Sequence, residues 1–192
     1  EFNLMKKFIP KLPLKPKQII GDATPIESIP DEEHITALQF DQSGAYFAVG
    51  DKAGRIIIFE NSENEQGGME YQYFTELQSH VREYDYLKST EIEERIQEIQ
   101  WLRPQYKSLY LVTTNEKFIK IWKIGEKSIR KELPHSDSRI IPQYEVVDVT
   151  FQPKLHSEFP NLHSFNINYI GVTSNEEYLI SSDDFRINLW SL

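Results

Sequence analysis

Three times along this chain a short, largely alternating apolar and polar run is followed by a second run that closes on an aromatic. Ile35 to Phe40 is matched by Gly54 to Phe59, Ile96 to Trp101 by Lys117 to Trp122, and Ile167 to Val172 by Phe185 to Trp190. Between the members of each pair lies a third apolar run: Tyr46 to Val49, Leu109 to Val112 and Tyr178 to Ser181. Alternation at a period of two places successive side chains on opposite faces, which predicts strands. Polar or glycine-containing turns between the runs make each copy a β-meander.

A fourth strand after the aromatic would complete one blade of a β-propeller. Tyr71 to Leu77 fills that place in the first copy and Tyr144 to Phe151 is the candidate in the second; none follows in the third before Leu192. The expected fold is therefore all-β, a WD40-type β-propeller present as an incomplete arc of about three blades. We expect a tail or linker over residues 1–33, poorly ordered, and blades at about 34–80, 95–151 and 165–192. The copies begin at Ile35, Ile96 and Ile167, farther apart than the roughly 40 to 45 residues of a plain WD40 repeat. The surplus falls in connections. An isolated arc would also expose strand edges and tend to aggregate.

Some segments carry competing signals. Ile92, Ile96 and Ile99 suit one face of a helix, but the repeat register makes Ile96 the start of a strand. Pro134, Pro142, Pro153 and Pro160 interrupt a stretch that is β-prone from Glu145 to Phe151, which predicts a hairpin projecting from the blades. Pro10, Pro13 and Pro16 among lysines resemble a polyproline II ligand, or simply a solvated tail. Asn61 to Gly68 reads as a polar loop.

Antiparallel order sends the second-to-third turns and the blade-to-blade links to the same face. That face would gather Lys52, Tyr84, Asp85, Glu91, Glu93, Glu94, Glu116, Phe165, Asn166, Asp183, Asp184 and Phe185. Carboxylates there would steer Lys or Arg side chains of another protein, and the aromatics would anchor them. A solvated rim is the plainer reading of the acidic run, and capping of tight turns the plainer reading of Asp51 and Asp183. Phe59, Trp122 and Trp190 are expected in the blade core.

Charge narrows the partners. Of 192 residues, 30 are acidic and 21 are Lys or Arg, a net charge of -9, which argues against nucleic acid as the main partner. The lack of cysteine excludes disulfides, thiol nucleophiles and Cys-based zinc sites. No apolar run approaches a membrane span and no signal-peptide core is visible. The expectation is a soluble cytoplasmic or nuclear protein with no membrane partner. His34, His80, His135, His156 and His163 show no metal-ligand spacing, and neither a phosphate loop nor a nucleophile elbow occurs. No cofactor, metal or catalytic residue is expected.

The segments Ala48 to Phe59, Tyr71 to His80, Glu83 to Ile96, Phe118 to Lys123 and Ser182 to Trp190 closely resemble the WD-repeat 55 kDa regulatory B-subunit family of serine/threonine protein phosphatase 2A. The likeness runs from about Ile35 to Leu192 and is strongest at Tyr84 to Ser89 and Asp183 to Trp190. It implies the N-terminal portion of a seven-bladed propeller and a non-catalytic adaptor. Such an adaptor binds the phosphatase scaffold and catalytic subunits and recruits phosphoprotein substrates with basic segments. By position, Lys52, Tyr84, Glu91, Glu93 and Asp184 match the family's recruiting surface. Phe165, Asn166 and Phe185 occupy matching places where the family commonly has Tyr, His and Leu. The family's long hairpin arm falls in the Arg130 to His163 region, where this chain is shorter and diverged. The alternative is a generic WD-repeat interaction scaffold without phosphatase association. A third reading, a propeller hydrolase, would use Asp183 and Glu94.

Overall fold

A computed structural model of the chain describes residues 15–21, 30–63, 67–132 and 144–192, without the side chain of Arg130. Thirteen strands are present among them. The first four, β1 (Ile35–Phe40), β2 (Tyr46–Asp51), β3 (Arg55–Glu63) and β4 (Met69–Gln78), form an antiparallel sheet in chain order. A small hairpin follows, β5 (Glu83–Asp85) with β6 (Thr90–Ile92). The second four-stranded sheet comprises β7 (Glu98–Gln105), β8 (Ser108–Thr114), β9 (Ile119–Glu132) and β10 (Tyr144–Phe159). A three-stranded sheet, β11 (Tyr169–Val172), β12 (Tyr178–Ser182) and β13 (Ile187–Ser191), ends the chain. Three meanders side by side make an open arc of propeller blades.

The helical signal at Ile92, Ile96 and Ile99 does not produce a helix; all three side chains are buried against the sheets. Pro10 and Pro13, the turn-prone 22–29, residues 64–66 between β3 and β4, and residues 133–143 between β9 and β10, with Pro134 and Pro142, lie outside the described residues. The loop expected at Asn61 to Gly68 is shorter, because β3 continues to Glu63.

Period-two alternation explains where the cores sit. Ala48, Ile56, Ile58 and Leu77 of the first sheet pack with Ile96, Ile99, Trp101, Leu111 and Ile124. Tyr110, Val112, Ile119 and Ile121 emerge on the other side of the second sheet and pack with Ile167, Ile170 and Leu179. Each core thus lies between blades. The closing aromatics are half-buried rather than central. Phe59 stacks on Phe47 with ring centroids 4.8 Å apart. Trp122 and Trp190 flank the two cores while their indole N–H groups bond to Ser79 and Ser181.

The β9–β10 hairpin is longer than its blade. Only Ile119 to Gly125 of β9 pairs with β8, so the second blade's fourth strand is the Gln152 to Phe159 part of β10. Tyr144 to Phe151, the segment singled out by its β-propensity, pairs with Glu126 to Glu132 beyond the end of β8. Strong β-propensity marks pairing but not which neighbour is present. At the root of this hairpin Phe151 meets Phe74 of β4, with centroids 4.3 Å apart.

Candidate functional site

The β2–β3 turn begins the surface of interest. Gly54 adopts a φ of +79° that side-chain-bearing residues avoid, and a Cβ there would collide with the His80 carbonyl and with Glu94. Its own carbonyl accepts the Ser79 and His80 N–H groups. The turn is thereby stitched to the link that carries the next candidate residues. Lys52 reaches back to Asp31 at 2.6 Å, and this bond holds the Asp31 carboxyl below the usual carboxylate range.

Lys52, Glu93 and Glu94 line one open recess of about 320 Å³ together with Asp31, Arg82 and Arg95. Arg82 Nε lies 3.1 Å from Glu94. Burial pushes the Glu94 carboxyl up, but the Arg82 bond and charge more than reverse it. This end of the face is therefore mixed in charge, while Glu91 and Glu93 are exposed.

Glu116, in the β8–β9 turn, joins this recess to the third blade. One carboxylate oxygen accepts the Glu93 N–H at 3.3 Å, the other accepts the Asn166 amide at 2.9 Å, and the Glu116 carbonyl accepts the Ile167 N–H. The β5–β6 hairpin overhangs the same region. Tyr84 pairs with Glu91 across it and packs edge-on against Tyr86. Asp85 accepts the Leu87 and Lys88 N–H groups, which shapes the tip so that Lys88 Nζ reaches the Ser164 carbonyl at 3.1 Å. Phe165 and Phe185 meet at 5.0 Å between centroids, and Phe185 remains 83% exposed. Asp184 is exposed and accepts the Asn168 amide at 2.7 Å.

All nine candidate residues thus fall on one connected surface, but two of the neighbouring acids differ in role. Asp183 is buried, with one oxygen 3.1 Å from His163 and the other accepting the Phe185 and Arg186 N–H groups. Those bonds, the Phe185 N–H first, keep its carboxyl well below the usual range. Asp183 is a cap and brace, and it does not meet Glu94, which is committed to Arg82.

Sequence reasoning missed the network behind that cap. His163 Nε2 lies 2.7 Å from Ser181 Oγ, which accepts the Trp190 indole N–H. Asp183, His163 and Ser181 have the order of a hydrolytic triad, yet Ser181 is wholly buried, so no substrate reaches it. A related set recurs one blade earlier. Ser79 Oγ lies 2.7 Å from Thr113 and accepts the Trp122 indole N–H, with His80 Nε2 3.4 Å from Thr113. Asn115 there replaces the acid and turns its amide to the Glu93 carbonyl, leaving His80 Nδ1 without a partner. The signal in the sequence was a His or Ser ahead of each first strand and a Trp closing the third. Among the described residues no cluster of His, Cys, Asp or Glu could hold a metal.

Stacked antiparallel meanders, with cores between them and an indole pinned at each of the two later blades, define part of a WD40-type β-propeller. No family model matches the chain. The PP2A regulatory B subunit of Candida tropicalis is 42% identical to it, over 91% of this chain and 37% of its own length. The Schizosaccharomyces pombe protein of the same name is 40% identical over 91% and 41%. The beta isoform of the 55 kDa regulatory B subunit of serine/threonine protein phosphatase 2A from Arabidopsis thaliana is 33% identical over 95% and 47%. Over most of its length the chain is similar to these regulatory B subunits of protein phosphatase 2A, and it spans less than half of theirs. Among solved structures, the Cps50 (Swd1) β-propeller domain from Myceliophteria thermophila superposes with a TM-score of 0.47 at 13% identity, over 83% of this chain and 40% of that one.

Proposed function

We propose that this chain is, or is part of, a non-catalytic, substrate-targeting regulatory subunit of protein phosphatase 2A, working in the cytoplasm or nucleus. The observation that carries this reading is the 42% identity to a named PP2A regulatory B subunit over 91% of the chain. The partners are the phosphatase scaffold and catalytic subunits, together with phosphoproteins bearing basic segments. Selectivity arises from tethering, because a substrate held on the adaptor meets the catalytic subunit at raised effective concentration.

The face supports a division of labour. Glu91, Glu93 and Asp184 offer exposed carboxylates, while Phe165 and Phe185 offer an aromatic pair beside them. Basic side chains gain charge-assisted bonds from the former and apolar or cation-π contact from the latter.

Co-purification of the chain with both phosphatase subunits tests the assembly, and retention of neither overturns it in favour of a generic WD-repeat scaffold. Asp184→Lys and Glu93→Lys test the face. Each is expected to weaken capture of a basic phosphopeptide about tenfold with scaffold retention unchanged. Equal loss of scaffold binding would remove these residues from the recruiting surface.

A further inference from the structure

The second-to-third turn of each blade is capped in the same way. Asp51, Asn115 and Asp183 stand at the end of a second strand or one residue past it. Each turns one side-chain oxygen to N–H groups that follow: Asp51 to Arg55 at 2.9 Å, Asn115 to Lys117 and Phe118 at 3.0 and 2.7 Å, Asp183 to Phe185 and Arg186 at 2.9 and 2.7 Å. The other end of the side chain is used differently in each. Asp51 accepts from Arg55 Nε at 2.7 Å, Asp183 faces the His163 ring at 3.1 Å, and Asn115 donates its amide to the Glu93 carbonyl at 3.0 Å. Chemistry fixes that last orientation, because only the amide oxygen can accept the two turn N–H groups and the NH2 must then face the carbonyl.

Glu93 is thereby gripped on both sides of its backbone. Asn115 holds its carbonyl, and Glu116, the next residue of the same turn, accepts its N–H at 3.3 Å. The Glu93 side chain stays exposed, whereas Asn115 is 1% exposed and out of reach of a bound peptide. This arrangement weakens the seam beneath. His80 Nε2 approaches Thr113 in the second blade as His163 Nε2 approaches Ser181 in the third. His163 Nδ1 has Asp183 beside it, but the buried His80 Nδ1 has no partner. A buried polar atom left unpaired is destabilising.

We propose that Asn115 is a positioning residue of the recruiting face: it stands where an acid would brace His80, and its amide instead fixes where the Glu93 carboxylate is presented. This role rests on the reading of Glu93 as part of that face. Exchanging the amide for a carboxylate keeps the shape and both turn bonds, but sets a negative oxygen against the Glu93 carbonyl in place of a donor. The link is then released, and the carboxylate turns to His80.

Asn115→Asp in the full chain separates this role from that of a plain turn cap. Hydrogen exchange is expected to quicken about fivefold at the Glu93 amide, with Lys117 and Phe118 unchanged. The His80 ring Nδ1–H is expected to appear as a slowly exchanging proton signal, with a urea midpoint no lower than before. A phosphoserine peptide flanked by arginines is expected to bind about fivefold more weakly. Asp183→Asn, the converse change one blade on, is expected to lower the urea midpoint and leave exchange at Glu93 alone. Exchange that quickens equally at Glu93, Lys117 and Phe118, or at none of them, would overturn the proposal. So would peptide binding that is lost in Glu93→Lys but kept in Asn115→Asp. Quickened exchange at Glu93 alone, with the peptide bound equally by both variants and the unmodified chain, would uphold the grip on Glu93 and overturn the recruiting reading instead.

Discussion

Two residues behind the candidate face carry consequences out of proportion to their size. Gly54→Ala forces a left-handed residue to bear a Cβ against the His80 carbonyl, which is expected to cost about 2 kcal/mol. A urea titration would show a lower midpoint with an unchanged slope. His80 is the second. Burial, and then the charge of Lys120, push its imidazole down to about 3 from 6.5. Between those values the unfolded chain binds a proton that the folded one refuses, so stability falls as pH drops below about 6.5, by up to about 1.4 kcal/mol per unit. His80→Gln is expected to flatten the difference between urea midpoints at pH 7 and pH 5. An unchanged slope would mean that His80 does not carry it. Neither effect was legible in the sequence, where His80 is one of five histidines and Gly54 one of eight glycines. Their meaning lies in a carbonyl and a cation brought from elsewhere in the chain.

At the scale of elements, the strands were legible and their surroundings were not. Alternation and closing aromatics placed β1 to β3, β7 to β9 and β11 to β13 because half-buried strands write their register into the sequence. The β5–β6 hairpin escaped, since its short strands offer too few residues for a period to show. The candidate residues were found by topology and by resemblance, whereas the bond between them, Glu116 to Glu93 and Asn166, depends on side-chain reach. Glu116→Ala is expected to release both neighbours, a loss of about 1 kcal/mol. Hydrogen exchange should then quicken at the Glu93 amide, and the basic phosphopeptide should bind several-fold more weakly. Undisturbed exchange would show that Glu116 does not hold the turn.

For the whole molecule, the two outer faces of the arc matter most. Leu38 and Phe40 are about half exposed on the first sheet, and Ile187 and Leu189 are 73% and 63% exposed on the last. Apolar strand surface of this kind drives edge and face association. Self-association of the isolated chain is expected to rise with concentration in sedimentation velocity, and Ile187→Lys/Leu189→Lys to suppress it with little change in melting temperature. Propeller blades were readable from repetition, but their open faces follow from which neighbours a sheet has, which no local pattern encodes.

The two cores shared between sheets have one further implication. Because Leu111 serves one core while its neighbours Tyr110 and Val112 serve the other, no blade owns the interior that supports it. A volume lost at Ile58 is answered most readily by growth at Ile96 or Leu111, across the boundary, rather than within its own sheet. The heritable unit of packing in this chain is the seam, and compensating changes should track pairs of adjacent blades.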